Sequence, residues 1–319
     1  MESNIRITCP DINLPKEARL EDLFSQIGRW IYSPQLASLV SLFGESAPVR
    51  QSGSLQGDLA FLHEFAKQWD FRKGRERWAV TDEAFVQAHA EQILDCAAGL
   101  GLTSITEPAI SPDYLLPLGG ARLSNMVRPA AARKIIDHHA ISGKKVIALS
   151  GTRPISDAER PYTDEYAPNA ATEYDAINKG LERAFPVDSY HETLTESENL
   201  NLCSAIRVYD ARYRDCEILS LAAPSSEPEK RRANSYDTFR FLLDTFSISR
   251  GDKLLLITSC IYVPFQLLKF MDLAIEDGFE VDCVGADVYD RGKFSKPSNY
   301  LQEIKSTIDA SFELGKRYL

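Results

Sequence analysis

Six cysteines are scattered through 319 residues without a single C-x-x-C pair, and only five histidines accompany them. Thiols spread in this way read as reduced and mostly buried, so neither a disulfide framework nor a zinc site is expected. No apolar stretch approaches the about 20 residues that cross a bilayer, and residues 1–20 carry no signal-peptide core. Basic charge is short as well: 36 Lys and Arg against 46 Asp and Glu give a net charge of -10, whereas a nucleic-acid binder normally presents a basic face. The signatures of common chemistry are missing too: there is no G-x-x-x-x-G-K-[ST] phosphate loop, no H-E-x-x-H zinc motif and no G-x-S-x-G elbow. Gly99-Leu100-Gly101 begins a G-x-G pattern, but it follows a helical stretch where a dinucleotide loop follows a strand. No histidine pairs by spacing with a nucleophile or with carboxylates; His138-His139 suit the C-terminal end of a helix dipole. These absences leave a cytoplasmic protein with a small-molecule ligand, no nucleic-acid or membrane partner and no metal.

What is present divides the chain in two. From residue 16 to residue 102 the apolar residues keep helical spacing and no strand stands out. Leu20, Leu23, Phe24, Ile27 and Ile31 form one stripe, and Leu36, Leu39, Val40 and Phe43 continue it. A helix is expected over 55–69, and another after Thr81-Asp82-Glu83, which supplies a cap and first-turn acids. Trp30, Trp69 and Trp78 all lie in this third. They read as packing residues, with stacking on a ligand as the alternative. After Ser111-Pro112 short apolar runs alternate with helical patterns, so the expected division is a helical segment over 1–110 and an α/β domain over 111–319.

Three of those runs stop at small polar residues. Residues 114–118 lead into Gly119-Gly120, 146–149 into Ser150-Gly151-Thr152, and 254–257 into Thr258-Ser259. Continuous apolar runs of this length are how strands of a mainly parallel sheet read, and in such sheets ligands bind outside the strand ends. Gly119, Gly120, Ser150, Gly151, Thr152, Thr258 and Ser259 are therefore candidates for ligand contact. Arg122, Arg128 and Arg153 are candidates for an anionic group, although Arg128 also reads as a solvated helix residue. Glu173 and Asp237 are the carboxylates best placed for a ribose hydroxyl, an amine or proton transfer. Glu173 in a first helical turn is equally explained by the dipole, and Asn234 or Ser235 by helix capping. The stretch 153–171 is long and polar, as lids and binding loops are.

The order of these motifs resembles the DUF218 family of YdcF/SanA/ElyC-like proteins. The resemblance rests on Leu118-Gly119-Gly120, Arg128, Leu149-Ser150-Gly151, Thr172-Glu173, Asn234-Ser235-Tyr236-Asp237 and Ile257-Thr258-Ser259. It spans about residues 113–286 and leaves the helical third uncovered. It implies a Rossmann-like α/β fold whose strand-end crevice binds S-adenosylmethionine or a related nucleotide, with Asn234, Ser235 and Tyr262 joining the ligand set. Where the family places a histidine and an arginine after Thr-Ser, this chain has Tyr262 and Phe265, and Thr152 replaces a glycine. That makes it a divergent member with its own substrate.

Three functions stand at this point. The first is an enzyme that binds an adenosyl- or nucleotide-like molecule at the strand ends, with group transfer as its reaction. The second is a non-catalytic metabolite-binding or scaffold protein. The third is metal-assisted hydrolysis or phosphoryl transfer using Asp157, Asp164, Asp237 or Asp287.

Overall fold

The computed structural model describes residues 5–44, 53–73, 81–139, 144–286 and 296–319. It contains two compact units, and neither is contiguous in sequence. One comprises Met1–Ile105, Cys260–Glu276 and Tyr289–Leu319; the other comprises Thr106–Ser259 and Asp277–Val288.

The first unit is helical. Its described elements are α1 (Lys16–Ile31), α2 (Pro34–Leu42), α3 (Leu55–Phe65), α4 (Ala84–Ala88), α5 (Ala90–Gly99), α10 (Val263–Asp277, through Glu276) and α11 (Pro297–Tyr318). Apolar stripes explain them: Leu23, Phe24, Ile27 and Ile31 are buried on α1, and Leu59, Leu62 and Phe65 on α3. Ser33 and Ser54 cap α2 and α3 by accepting from the backbone N–H of Leu36 and Gly57. The long α11 packs against both α3 and α5. Trp30 and Trp69 are fully buried. The Trp30 indole donates to Leu100 O at 3.1 Å, and Trp69 meets Phe43 and Phe65 edge-on, so both are packing residues. Trp78 lies outside the described residues.

The second unit holds a seven-stranded sheet of β1 (Tyr114–Pro117), β2 (Lys145–Ser150), β3 (Tyr190–Thr195), β4 (Ser204–Tyr213), β5 (Cys216–Ala222), β6 (Lys253–Thr258) and β7 (Glu280–Gly285). Their spatial order is β3-β4-β5-β2-β1-β6-β7. The five from β5 to β7 run parallel, while β3 and β4 pair antiparallel at one edge. The fold is thus a mixed α/β sheet, mostly parallel in its core and flanked by helices, with a helical N-terminal segment. No strand precedes β1 among the described residues. Strand β3 is a correction to the sequence reading, which puts His191-Glu192 in a polar loop. All six of its residues are exposed, so no buried face imprints an alternating pattern on the sequence.

Two helices, α6 (Ser124–His139) and α8 (Glu173–Ala184), cover one face of this sheet. Ala132, Ile136, Ile177 and Leu181 pack on Leu115, Val146, Ala148, Ile218, Leu255 and Ile257, all fully buried. Alternate strand residues point to one face, which is why 255 and 257 belong to this cluster while 254 and 256 do not. The two helices approach so closely that a Cβ on Gly180 would run into the backbone carbonyl of Asn125. Residue 180 therefore sets the spacing of α6 and α8, and with it the position of both helix starts at the strand ends. A Cβ on Gly28, inside α1, meets only Tyr32 at ordinary contact distance, 3.7 Å.

This contrast is testable by urea denaturation. Gly180→Ala is expected to destabilise the protein by about 1–3 kcal/mol through overpacking. Gly28→Ala should instead stabilise it by about 0.5–1 kcal/mol, the helix-interior gain of alanine over glycine.

Candidate functional site

Parallel strands deliver their C-terminal ends to one edge of the sheet, and at β1 and β2 those ends interlock. Leu118 bridges Leu149, and Gly119 N–H donates to Leu149 O. A Cβ at Gly119 would collide with Oε1 of Glu173 and with Ser150. Glycine is thus required at 119, where the Leu149 carbonyl, Ser150 Cβ and the Glu173 carboxylate all crowd its Cα. Gly120 is clasped by Asn125, which accepts from its N–H at 2.9 Å and donates to its carbonyl at 2.6 Å. A Cβ at 120 would press on Ser124 and Arg128, whereas one at Gly151 would enter open space.

Arg128 is 3% exposed. Its Nη1 donates to Leu118 O at 2.7 Å and Gly119 O at 2.6 Å, and its Nη2 to Ser259 Oγ at 3.1 Å. This arginine joins the end of β1 to the residue after β6. Arg122, with φ at 59°, places its guanidinium over the Tyr162 ring. Ser150 donates to Leu221 O, facing β5, and Thr152 donates to Leu200 O. Thr258 is buried at the end of β6.

Glu173 is the first residue of α8, but it takes no part in capping that helix. The capping box is made by Thr172 and Asp175, each accepting from the other's backbone N–H. The Glu173 carboxylate is free to face the strand ends, 15% exposed, with Oε2 accepting from Arg153 Nε at 3.2 Å. Arg153 in turn donates Nη1 and Nη2 to the two oxygens of Glu159 at 2.7 and 2.8 Å. Glu159 is fully buried and also accepts from the backbone N–H and hydroxyl of Ser156. Burial alone would push the Glu159 carboxyl up; the Arg153 and Ser156 hydrogen bonds outweigh it and hold the group below the usual glutamate range.

This cluster sits in the 153–171 loop, which is packed. Its ends are pinned by the Pro154–Thr172 bridge and by Glu173 N–H donating to Arg153 O at 2.8 Å. Ile155, Tyr166, Ala167 and Ala170 bury themselves with Leu123 and Ala176, and the Tyr166 hydroxyl donates to Arg122 O.

Asp237 stands elsewhere, at the start of α9 (Ser235–Thr245), where it completes a capping box with Asn234. Its carboxylate also accepts from Ser226 Oγ at 2.6 Å and is ion-paired with Arg231. Burial raises the Asp237 carboxyl, and the Arg231, Ser226 and Asn234 hydrogen bonds prevail and lower it. Ser235 is the first residue of this helix. Tyr262 ends the short 3-10 turn Cys260–Tyr262 and belongs to the helical unit. The structure thus gathers Gly119, Gly120, Ser150, Arg153 and Glu173 at one place, links Arg128 with Ser259, and sets Asn234, Ser235 and Asp237 in a separate cap. Asp157 and Asp164 are exposed on the loop, Asp287 lies outside the described residues, and no group of three or more His, Cys, Asp or Glu side chains suited to a metal occurs among the described residues.

Sequence reasoning gave no role to Glu159. The signal was there in Ser156-x-x-Glu159, the spacing of a capping box, immediately before the one-turn α7 (Arg160–Thr163).

Removing one member of a buried ion pair strands the other. Arg153→Met is therefore expected to cost about 3–5 kcal/mol of stability at neutral pH. Because the Glu159 carboxyl is lowered in the folded protein, its contribution is complete above the ordinary value of 4.5 and is lost as pH falls through the folded value. Stability measured against pH should decline less steeply in acid for Glu159→Gln than for the natural protein.

The family model that matches this chain falls outside the strand-end motifs. Residues 15–101 match the family model described as the Rv3785 N-terminal domain. The whole chain is 28% identical over 343 residues to the uncharacterized protein Rv3785 of Mycobacterium tuberculosis (strain ATCC 25618 / H37Rv), covering 98% of this chain and 95% of that one. The uncharacterized protein Mb3814 of Mycobacterium bovis gives the same figures. No solved structure matches. These findings overturn the DUF218 resemblance. The family model that matches is a different one, it falls on the helical segment that the DUF218 motifs leave uncovered, and the relatives align over nearly their full length with this chain.

Proposed function

We propose that the sheet unit binds a nucleoside-like small molecule over the ends of β1 and β2, with Glu173 accepting hydrogen bonds from its hydroxyl or amino groups. The observation that carries this reading is the Glu173 carboxylate itself. It lies against the glycine that ends β1, is partly exposed, and is not consumed by the capping box of its own helix. A carboxylate at a strand end is the acceptor that ribose hydroxyls meet in dinucleotide-binding sheets.

The strand order supports the same reading. Taken in chain order, the five parallel strands lie 3-2-1-4-5, as β5-β2-β1-β6-β7. We read this as a Rossmann-like order, whose direction reverses between β1 and β6, beside the Gly119-Gly120 turn. Because the nearby arginines are engaged by protein acceptors, the Glu173 carboxylate favours uncharged or cationic ligand groups. Arg128 is committed to two carbonyls and Ser259, and Arg153 to two carboxylates. S-adenosylmethionine, with its ribose and ammonium groups, is one compound of the proposed class. Group transfer is the reaction this arrangement suits, because placing two reactants side by side supplies much of such a rate without an acid–base pair.

A thermal-shift panel of nucleosides, S-adenosylmethionine, nucleotides and sugar phosphates tests the proposal. A ligand present at 100 times its Kd stabilises by about 2.7 kcal/mol. Gly151→Val, whose Cβ enters open space, should abolish that stabilisation and leave the melting temperature of the free protein unchanged. Glu173→Gln should weaken binding by about tenfold, equivalent to about 1.4 kcal/mol. A panel without any stabilising member, or variants that bind as the natural protein does, would overturn it.

A further inference from the structure

Arg153 reads from sequence as a receptor for an anionic ligand. Its geometry gives it another task. Glu159 engages Nη1 and Nη2 together, through separate oxygens, and a bidentate pair of this kind fixes the guanidinium plane as well as its position. With that plane fixed, Nε–H has one direction left to it, and it is directed at Oε2 of Glu173. Glu159 is itself immobilised, fully buried and accepting from both the N–H and the hydroxyl of Ser156. The backbones are locked as well, by Glu173 N–H to Arg153 O.

We infer that Arg153 and Glu159 are positioning residues for Glu173: buried Glu159 orients Arg153, and Arg153 holds the Glu173 carboxylate against Gly119 with Oε1 presented at the strand ends. Two carboxylates share the Arg153 guanidinium, which leaves at Glu173 an acceptor suited to a hydroxyl or ammonium group. Lysine cannot replace Arg153, because an ammonium has no planar fork with which to serve both carboxylates. This inference rests on the reading of Glu173 as the ligand-facing carboxylate.

The test uses the full-length protein labelled with 15N, with the Arg153 Nε–H resonance identified by its loss in Arg153→Lys. Glu159→Asp keeps the charge but withdraws it by one methylene, so the bidentate contact is lost. Exchange of the Arg153 Nε–H with solvent should then accelerate by about tenfold or more, while the backbone amides of Ile155, Ala167 and Ala170 stay protected. Glu159→Asp should also weaken binding of adenosine, used as probe, to the extent that Glu173→Gln does, and inorganic phosphate should leave the Arg153 resonance unmoved. Unchanged Nε–H exchange in Glu159→Asp overturns the positioning role. So does loss of protection across the three loop amides together with Arg153, which would make Glu159 a structural group of the loop alone. A phosphate-dependent shift of the Arg153 resonance would restore the anion-receptor role and overturn the inference. If adenosine binding is indifferent to Glu173→Gln while Nε–H exchange responds to Glu159→Asp as expected, the ligand reading fails and the positioning of Glu173 stands.

Discussion

Where a parallel strand stops, its last carbonyls lose their ladder partners, and a buried carbonyl without a partner is costly. At the end of β1 that problem is met by one side chain. Arg128 reaches from the first turns of α6 to the carbonyls of Leu118 and Gly119 and to the Ser259 hydroxyl. The Gly119-Gly120 turn is held from the other side by Asn125. With these two residues in place, β1, β2 and β6 can end level, α6 can begin beside them, and α8 can approach through Gly180. The Glu173 carboxylate stands where it does because all of these positions are already fixed.

Much of the sheet was legible in the sequence, for a definite reason. Strands β1, β2 and β6 are buried on both faces, so their burial shows as unbroken apolar runs that end at small residues. The exposed β3 has no such imprint. The site was legible only in part. The caps at Asn234 and Thr172 follow local rules of chain geometry, and these are written in neighbouring residues. That Asp237 would be occupied by Arg231 and Ser226 depends on how the 225–232 stretch folds back, and no periodicity reports that. Glu159 belongs to the same class: its partner lies six residues away across a loop turn.

The overturned family resemblance has a physical explanation too. Gly-Gly, Ser-Gly and Thr-Ser after apolar runs are what any parallel sheet needs where strands stop and a chain must turn closely past a neighbour. An order of such motifs therefore reports the architecture more than descent. The family-model match over 15–101 falls on the helical segment, where no general rule of strand ends imposes the residues.

The interleaving of the two units has a consequence for how the chain comes to be folded. The segment 15–101 matches a family model as an N-terminal domain, yet its compact unit is completed by residues 260–276 and 289–319. Helix α3 packs on α11 more than two hundred residues away. A ribosome that has released the first hundred residues has thus released helices without their principal packing partner, and they must wait for nearly the whole chain to be made. Contacts so distant in sequence make loop closure a large part of the folding barrier. Cutting the chain at residue 101 yields a fragment whose apolar stripes have lost α11, and shortening the protein from its C-terminus removes the helix on which α3 and α5 pack.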